Sequence, residues 1–375
     1  MKLVIEKTVS NSPLTLEILR RNPAVDPAYV DSYKSIPRES LSESDWVLID
    51  YHGRFLDKCP GTPEHLCCNY YVLNWAVGCP YACTYCYLHG YKNYPATLIH
   101  ANVDRLIEEV LQTVAATPDR IFRIGTGEFT DSSALEAQTG FNEIVLPALL
   151  TAPNIVIELK TKSNHPATQI LPSYALRATA GKRSAQDDRR TASITLSRFK
   201  DRLIFAWSMN PPEIIAAEEH SAASLTDRLT AAQNAQTAGF SVALHFDPMI
   251  YYADWEAGYR RLVEDCFAAL DPKKIAWISM GALRFNPKVK KAALAKFPET
   301  KIYYGELVPG VDGKLRYFRP LRVAMFKKML SWLTAHVPET LIYLCMESPE
   351  VWQEVFEDER ALGKRTGLFG GSSRI

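Results

Sequence analysis

From about residue 69 onward, short continuous apolar runs alternate with longer stretches whose apolar positions return every three or four residues. A strand buried on both faces reads as such a run, and a helix covering a sheet reads as such a period. The alternation therefore predicts parallel strands joined by crossover helices. Strands are expected at 70–76, 120–125, 155–160, 203–208, 240–246 and 275–280, with helices at 103–114, 141–150, 225–238 and 259–270. Six such units describe an α/β fold, an incomplete (β/α)6 barrel, whose working groups sit on the loops after the strand C-termini.

The flanks read differently. Residues 1–70 are expected to form a small N-terminal α/β region, with strands at 3–8 and 46–51 and a helix starting at Ser12-Pro13; Pro23, Pro27 and Pro37 interrupt the stretch between. Residues 71–285 carry the barrel. Inside them, 171–202 exceeds what a crossover needs and its 181–190 core has no apolar period, so a mobile surface insertion is expected there. Residues 286–375 are expected to pack on the barrel as a C-terminal helical extension. It has helices at 287–296, 320–334 and 349–356, a buried strand at 340–345 and a frayed tail at 367–375.

Composition narrows the class. Of 375 residues 47% are hydrophobic and 23% charged, which is the balance of an ordinary folded protein and excludes a disordered chain. The 43 basic and 42 acidic residues leave a formal charge of +1, so nucleic-acid binding would rest on local patches. Residues 314–322, where cations interleave with Tyr317 and Phe318, and the group Arg284, Lys288, Lys290 and Lys291 are the candidates; solvated faces are the plainer reading of both. The charged start Met1-Lys2-Leu3 and the lack of any run of 18 apolar residues lead to the expectation of a soluble cytoplasmic protein without secretory or membrane-spanning segments.

The eight cysteines are too sparse for a disulfide scaffold, and their clustering suggests metal ligation in a reducing compartment. Cys79, Cys83 and Cys86 are separated by three and then two residues, a spacing that lets each thiolate take a different iron of one 4Fe-4S cube. Three ligands leave one iron open to chelate S-adenosylmethionine. A zinc site would need a fourth ligand, for which only His89 is close in sequence. Cys59, Cys67 and Cys68 could hold a second cluster, act as redox thiols, or be small buried hydrophobes.

Further candidates fall at the other expected strand ends. Gly125-Thr126-Gly127-Glu128 follows the second, where glycines admit close backbone approach and a carboxylate can accept from an ammonium group. Lys160-Thr161-Lys162 closes the third, and Ser208 and Asn210 the fourth, offering groups suited to a carboxylate and to ribose hydroxyls. His245 and Asp247 end the fifth, either orienting a substrate or pairing structurally at the rim.

The cysteine spacing, with Tyr85 before the last cysteine, resembles the radical S-adenosylmethionine superfamily. More narrowly, Tyr85-Cys86-Tyr87-Leu88, Thr161-Lys162, Ser208, Asn210 and the run through Pro248, Trp255 and Tyr259 resemble the spore photoproduct lyase family over residues 70–285. The resemblance implies that Cys79, Cys83 and Cys86 ligate the cluster, that Gly125, Gly127 and Glu128 take the amino end of S-adenosylmethionine, and that Tyr85, Lys162, Ser208 and Asn210 surround it. It also implies a 5'-deoxyadenosyl radical abstracting hydrogen from a DNA photoproduct or other nucleotide, and a reducing protein such as flavodoxin or ferredoxin. The rival reading is an iron-sulfur electron-transfer or metal-binding protein that does not cleave S-adenosylmethionine.

One departure stands out. Family members that repair spore DNA return a hydrogen atom from a cysteine just after the second strand, but no cysteine lies between Cys86 and Cys266, and that position falls at or beside Glu128. A carboxylate O–H bond is much stronger than a thiol S–H bond. Tyr87, or one of Cys59, Cys67, Cys68 and Cys345, is the expected substitute.

Overall fold

Seven strands run parallel, each hydrogen-bonded to the next in chain order: Tyr71–Leu73, Phe122–Gly125, Ile155–Thr161, Leu203–Ser208, Val242–Met249, Ile275–Ala282 and Leu341–Leu344. Leu56–Lys58 adds an antiparallel edge beside the first. The order is linear, so the sheet curls into a partial barrel without closing. This computed structural model describes residues 1–62, 64–66, 68–164 and 199–356; Cys67, all but the last residues of the insertion expected at 171–202, and the tail at 367–375 lie outside them.

The pattern explains the layers. All six residues of Leu203–Ser208 are buried, as a strand covered on both faces requires. Helix Val103–Ala115 buries Val103, Leu106, Val110 and Val114, one stripe at helical spacing, and keeps its charges outward. Near the N-terminus Ser12 caps helix Pro13–Arg21, its hydroxyl accepting from the Thr15 N–H at 3.2 Å.

Two expectations need correction. Among the described residues the barrel has seven parallel strands, one more than expected: the buried run placed in the C-terminal extension joins the sheet as Leu341–Leu344, pairing from Trp277↔Leu341 to Met280↔Leu344. A small antiparallel sheet of Arg284–Phe285, Leu307–Pro309 and Leu315–Tyr317 interrupts the alternation and hides that continuity in the sequence. The strand expected at 70–76 is divided between two sheets. Tyr71–Leu73 starts the barrel, whereas Ala76–Val77 edges a five-stranded sheet with Thr97–His100, Trp46–Ile49, Leu3–Glu6 and Pro27–Val30.

His100 fastens that crossing. Its Nδ1 lies 2.7 Å from the Asn74 carbonyl, its backbone N–H donates to Trp75 O at 2.8 Å, and its ring stacks on Tyr51 at 3.8 Å. Trp75 in turn stacks on Phe141 at 4.1 Å. Burial pushes the His100 imidazole down to about 4.

The barrel interior holds a charged network as well as apolar side chains. Glu158 accepts from Arg123 Nε at 2.9 Å, His245 Nε2 at 2.6 Å and Trp277 Nε1 at 2.9 Å, while Ser279 Oγ lies 2.6 Å from His245 Nδ1 and Arg123 donates to Tyr343 at 2.7 Å. Burial alone would raise the Glu158 carboxyl; Arg123 and His245 instead hold it far below the usual range. His245 is therefore engaged in the barrel wall. Asp247 pairs with Arg284 at 2.9 and 3.2 Å rather than with His245.

Below pH 6.5 an unfolded histidine takes up a proton that His100 refuses until about pH 4. This contribution to stability is complete above about pH 6.5 and is lost as the pH falls towards about 4, by roughly 3 kcal/mol for a shift of that size. Denaturant unfolding at pH 7 and pH 4 should show a smaller loss in His100→Asn than in the parent; equal losses would contradict it.

Candidate active site

The cysteine loop leaves the short Ala76–Val77 strand through Gly78, whose φ of 131° suits only glycine and whose Cβ would lie 2.7 Å from Thr97 Oγ1. Its middle is stitched to the segment after the fourth parallel strand: Ala82–Cys83 pairs antiparallel with Glu219–His220, and the Thr84 N–H donates to Glu218 O at 2.8 Å. The Thr84 hydroxyl bonds the Glu218 carboxylate, which also accepts from Thr300 at 2.7 Å, and Tyr303 donates to Thr84 O at 2.8 Å.

Glu219 is the pivot of a second, fully buried group. It accepts from the Tyr85 hydroxyl, from Asn210 Nδ2 at 2.9 Å and from Arg228 Nη2 at 2.5 Å. Arg228 also holds Ser208 O at 2.9 Å, and Tyr259 donates to Asn210 Oδ1 at 2.8 Å. The Lys162 ammonium lies 5.6 Å from the centre of the Tyr85 ring. Burial opposes the charge of Glu219, but Lys162, Arg228 and these hydrogen bonds keep its pKa below the ordinary value. The sequence reading missed Glu218 and Glu219; two adjacent carboxylates at a helix end look like solvated charges until the fold buries them.

The loop after the second parallel strand is held against the cysteine loop through its carbonyls. Trp75 Nε1 donates to Thr126 O at 3.0 Å, the Tyr87 hydroxyl to Glu128 O at 2.5 Å, and the Gly78 N–H to Phe129 O at 2.9 Å. Asp131 then ties this loop to the end of the third strand, accepting from the Ser133 and Ala134 N–H groups, from Thr161 Oγ1 at 2.6 Å and from the Lys162 N–H at 2.8 Å. A Cβ on Gly125 would fall 1.4 Å from the Tyr70 hydroxyl, and one on Gly127 would lie 2.7 Å from Ser132 Oγ. Four buried hydroxyls here, of Tyr70, Thr126, Thr130 and Ser132, have no hydrogen-bond partner among the described residues. Buried hydroxyls are usually satisfied, so this cradle is polar capacity held for something other than the chain itself.

The three thiols lie within each other's electrostatic reach, and burial pushes all of them up, Cys83 to about 12. Lys162 works the other way on Cys83 and Cys86, and the Tyr81 and Leu88 N–H groups are bonded to the Cys79 and Cys86 sulfurs. Backbone and lysine thus favour thiolates against the cost of burial, and a cationic metal centre held there would favour them further. Among the described residues no three His, Cys, Asp or Glu side chains are grouped as ligands of a metal ion. Sulfurs on separate corners of a cube stand farther apart than the ligands of one ion. His89, the fourth ligand a zinc site would need, has its Nε2 at 2.9 Å from Cys83 O. With the His89 ring engaged at the Cys83 carbonyl, three thiolates from one loop are a donor set that a cube held at three corners would accept.

The other thiols divide. Cys266 is buried inside helix Trp255–Ala269. Cys345 lies 3.5 Å from Arg284 Nη2, beside Asp247, and Cys59 lies within electrostatic reach of Glu128, Lys160 and Cys68. Burial, then Glu128, pushes Cys59 up to about 11; burial opposes the Lys160 charge, but Glu128, Asp247 and Cys345 keep its pKa above the ordinary value. Folding thus gathers Cys59, Cys345, Lys160 and Glu128 at one side of the barrel.

The cations at 314–322 are consumed internally. Arg316 pairs with Asp312 at 2.5 Å, Lys314 with Asp312 at 3.5 Å, Arg319 with Glu354 and the buried Arg322 with Glu347 at 2.9 Å. Tyr317 is buried, leaving only Phe318 exposed, so this run is not a stacking platform. In the second group Arg284 is held by Asp247 and Lys290 by Tyr303 O, whereas Lys288 and Lys291 are exposed.

The family model for spore photoproduct lyase matches residues 189–309. The spore photoproduct lyase of Clostridium acetobutylicum is 24% identical over 311 residues, 80% of this chain and 83% of that protein, and the one from Bacillus subtilis is 23% identical over 241 residues, 63% of each. A spore photoproduct lyase structure complexed with dinucleoside spore photoproduct superposes with a TM-score of 0.73 at 18% identity, covering 91% of this chain and 97% of that one. A variant with bound AdoMet and the same dinucleoside gives 0.73 at 17%, with equal coverage. The chain is thus similar to spore photoproduct lyases in sequence and shares their fold.

Removing the Glu219 carboxylate strands a buried Arg228 charge. Glu219→Ala should lower stability by roughly 3–5 kcal/mol in denaturant unfolding, and Glu219→Met with Arg228→Met should recover much of it. A loss under about 1 kcal/mol in the single variant would show that the pair does not anchor the loop.

Proposed function

We propose that this chain is a radical S-adenosylmethionine enzyme of the spore photoproduct lyase type, acting on a DNA photoproduct or a related nucleotide. The observation that carries this is the meeting of the cysteine loop with the 126–131 loop and with Lys162 around a cradle of unpartnered hydroxyls. When bound, the cluster supplies one electron that breaks a sulfonium C–S bond of S-adenosylmethionine, yielding a 5'-deoxyadenosyl radical. Cys79, Cys83 and Cys86 hold it. Gly125 and Gly127 let the backbone approach the methionine end, Glu128 accepts from its ammonium group, and Lys162 faces its carboxylate. Ser208 and Asn210 complete the wall, with Asn210 and Tyr85 positioned through Glu219.

Solved structures with the same fold contain the dinucleoside photoproduct, which supports a thymine-dimer substrate and a role in DNA repair. Glu128 cannot replace the family's donor cysteine in returning hydrogen to a product radical. The thiols of Cys345 and Cys59, gathered near Glu128 and Lys160, are the substitutes the fold offers, with the Tyr87 hydroxyl bonded to Glu128 O as a third. Among the described residues no helix is long and apolar enough to cross a membrane.

The test uses protein reconstituted with iron and sulfide without oxygen, reduced with dithionite and given S-adenosylmethionine. 5'-Deoxyadenosine should form, Cys83→Ala should abolish it while keeping the fold, and dinucleoside photoproduct should be converted to thymidine monomers. A cluster-loaded parent that forms no 5'-deoxyadenosine would leave an iron-sulfur electron carrier as the better reading. Product formation with no attack on the photoproduct would move the substrate elsewhere.

A further inference from the structure

A cleft of about 510 Å3 opens outside the barrel, between the N-terminal sheet and the chain leaving the cysteine loop, lined by Tyr33, Lys34, Arg38, Val77, Lys92 and Tyr94 among others. None of its lining residues is acidic. Lys34 and Arg38 are exposed, and neither they nor Lys92 form an ion pair among the described residues. The one carboxylate acting on Lys92, Glu43, is itself paired with Lys296. In a chain with a net charge of only +1, three cations and no carboxylate thus line one cleft.

Its position gives that charge a meaning. Val77 in its wall directly precedes Gly78 and Cys79, and the Lys92 ammonium is within electrostatic reach of the Cys79 and Cys86 thiols. Tyr91, 54% exposed at the lip, sets its ring edge-on to Tyr87 at 5.6 Å, and Tyr87 follows Cys86 in the chain. None of the lining residues comes from the strand-end loops at 126–131, 161–163 or 208–210, where a substrate would meet the cofactor. The cleft therefore reaches the cysteine loop from outside the reaction chamber. An electron can enter there without opening the chamber to solvent.

We propose that this cleft is the docking site of a small acidic one-electron carrier protein, which reduces the centre held by Cys79, Cys83 and Cys86. The proposal rests on the radical S-adenosylmethionine reading, in which each cleavage consumes one electron. That electron leaves the carrier's reduced flavin and enters the cluster, and no covalent bond is made or broken in the transfer. Lys34 and Arg38 steer the acidic face of the carrier, and the Tyr91–Tyr87 ring contact fills the short span between lip and cluster.

The experiment uses the full chain and its Lys34→Glu/Arg38→Glu variant, with a flavodoxin as the probe. Binding is measured by calorimetry at low and at physiological salt, and 5'-deoxyadenosine is measured with either reduced flavodoxin or dithionite as the electron source. The variant should melt like the parent and bind flavodoxin at least about tenfold more weakly at low salt, with a flattened salt dependence. Its flavodoxin-driven rate should fall, and its dithionite-driven rate should be unchanged. Unaltered flavodoxin affinity would overturn the proposal. So would unaltered flavodoxin binding with loss of binding to a DNA oligonucleotide, which would make the cleft a nucleic-acid surface. If the parent forms no 5'-deoxyadenosine even with dithionite, the functional reading fails, and the binding arm still judges the cleft on its own.

Discussion

The arrangement depends on one buried carboxylate. Glu219 takes hydrogen bonds from Tyr85 in the cysteine loop, Asn210 after the fourth parallel strand and Arg228 on the following helix, and its backbone pairs with Cys83. A loop rich in thiols has little apolar surface with which to hold itself against a barrel. An ion pair with both side chains fully buried supplies direction that apolar packing would not, because its partners tolerate few geometries. Burying such a pair is costly, and its placement here spends that cost on the position of the cysteines.

Polar ties recur wherever the site needs a fixed loop. Asp131 joins the loop after the second strand to Thr161 and Lys162 at the end of the third, and the Glu158 network braces the barrel wall behind them. Against this near-complete pairing, the idle hydroxyls of Tyr70, Thr126, Thr130 and Ser132 mark where pairing stops. The Tyr70 and Ser132 hydroxyls press against Gly125 and Gly127, where any side chain would collide with them. Rigid surroundings and an unspent polar lining are what a bound nucleoside cofactor requires.

Much of the barrel was legible because its strands are continuous apolar runs, and the bounds at 203–208 and 287–296 coincide with those observed. The seventh strand was legible as a strand but not as part of the barrel, since a small antiparallel sheet separates it from the sixth and local periodicity carries no pairing information. The break after Leu73 was hidden for a similar reason: Asn74 and Trp75 change sheets inside one apolar run, and contacts from elsewhere in the chain, His100 among them, fix the crossing. At the site, the three cysteines stand out by their spacing, and Glu128 is singled out only with the help of the family resemblance. Glu218, Glu219 and Arg228 could not, because their importance lies in burial and long-range pairing. The cations at 314–322 show the converse, a pattern suggestive in one dimension and neutralised by Asp312, Glu347 and Glu354 in three.

The central claim is that Cys79, Cys83 and Cys86 hold a cluster with one iron left open to S-adenosylmethionine. Electron paramagnetic resonance of the anaerobically reconstituted and reduced chain, recorded with and without S-adenosylmethionine, addresses it most directly. The account predicts about four irons per chain and a reduced-cluster signal whose g values move when S-adenosylmethionine is added, both absent from Cys83→Ala. A signal that ignores S-adenosylmethionine, or iron that survives loss of Cys83 unchanged, would contradict it.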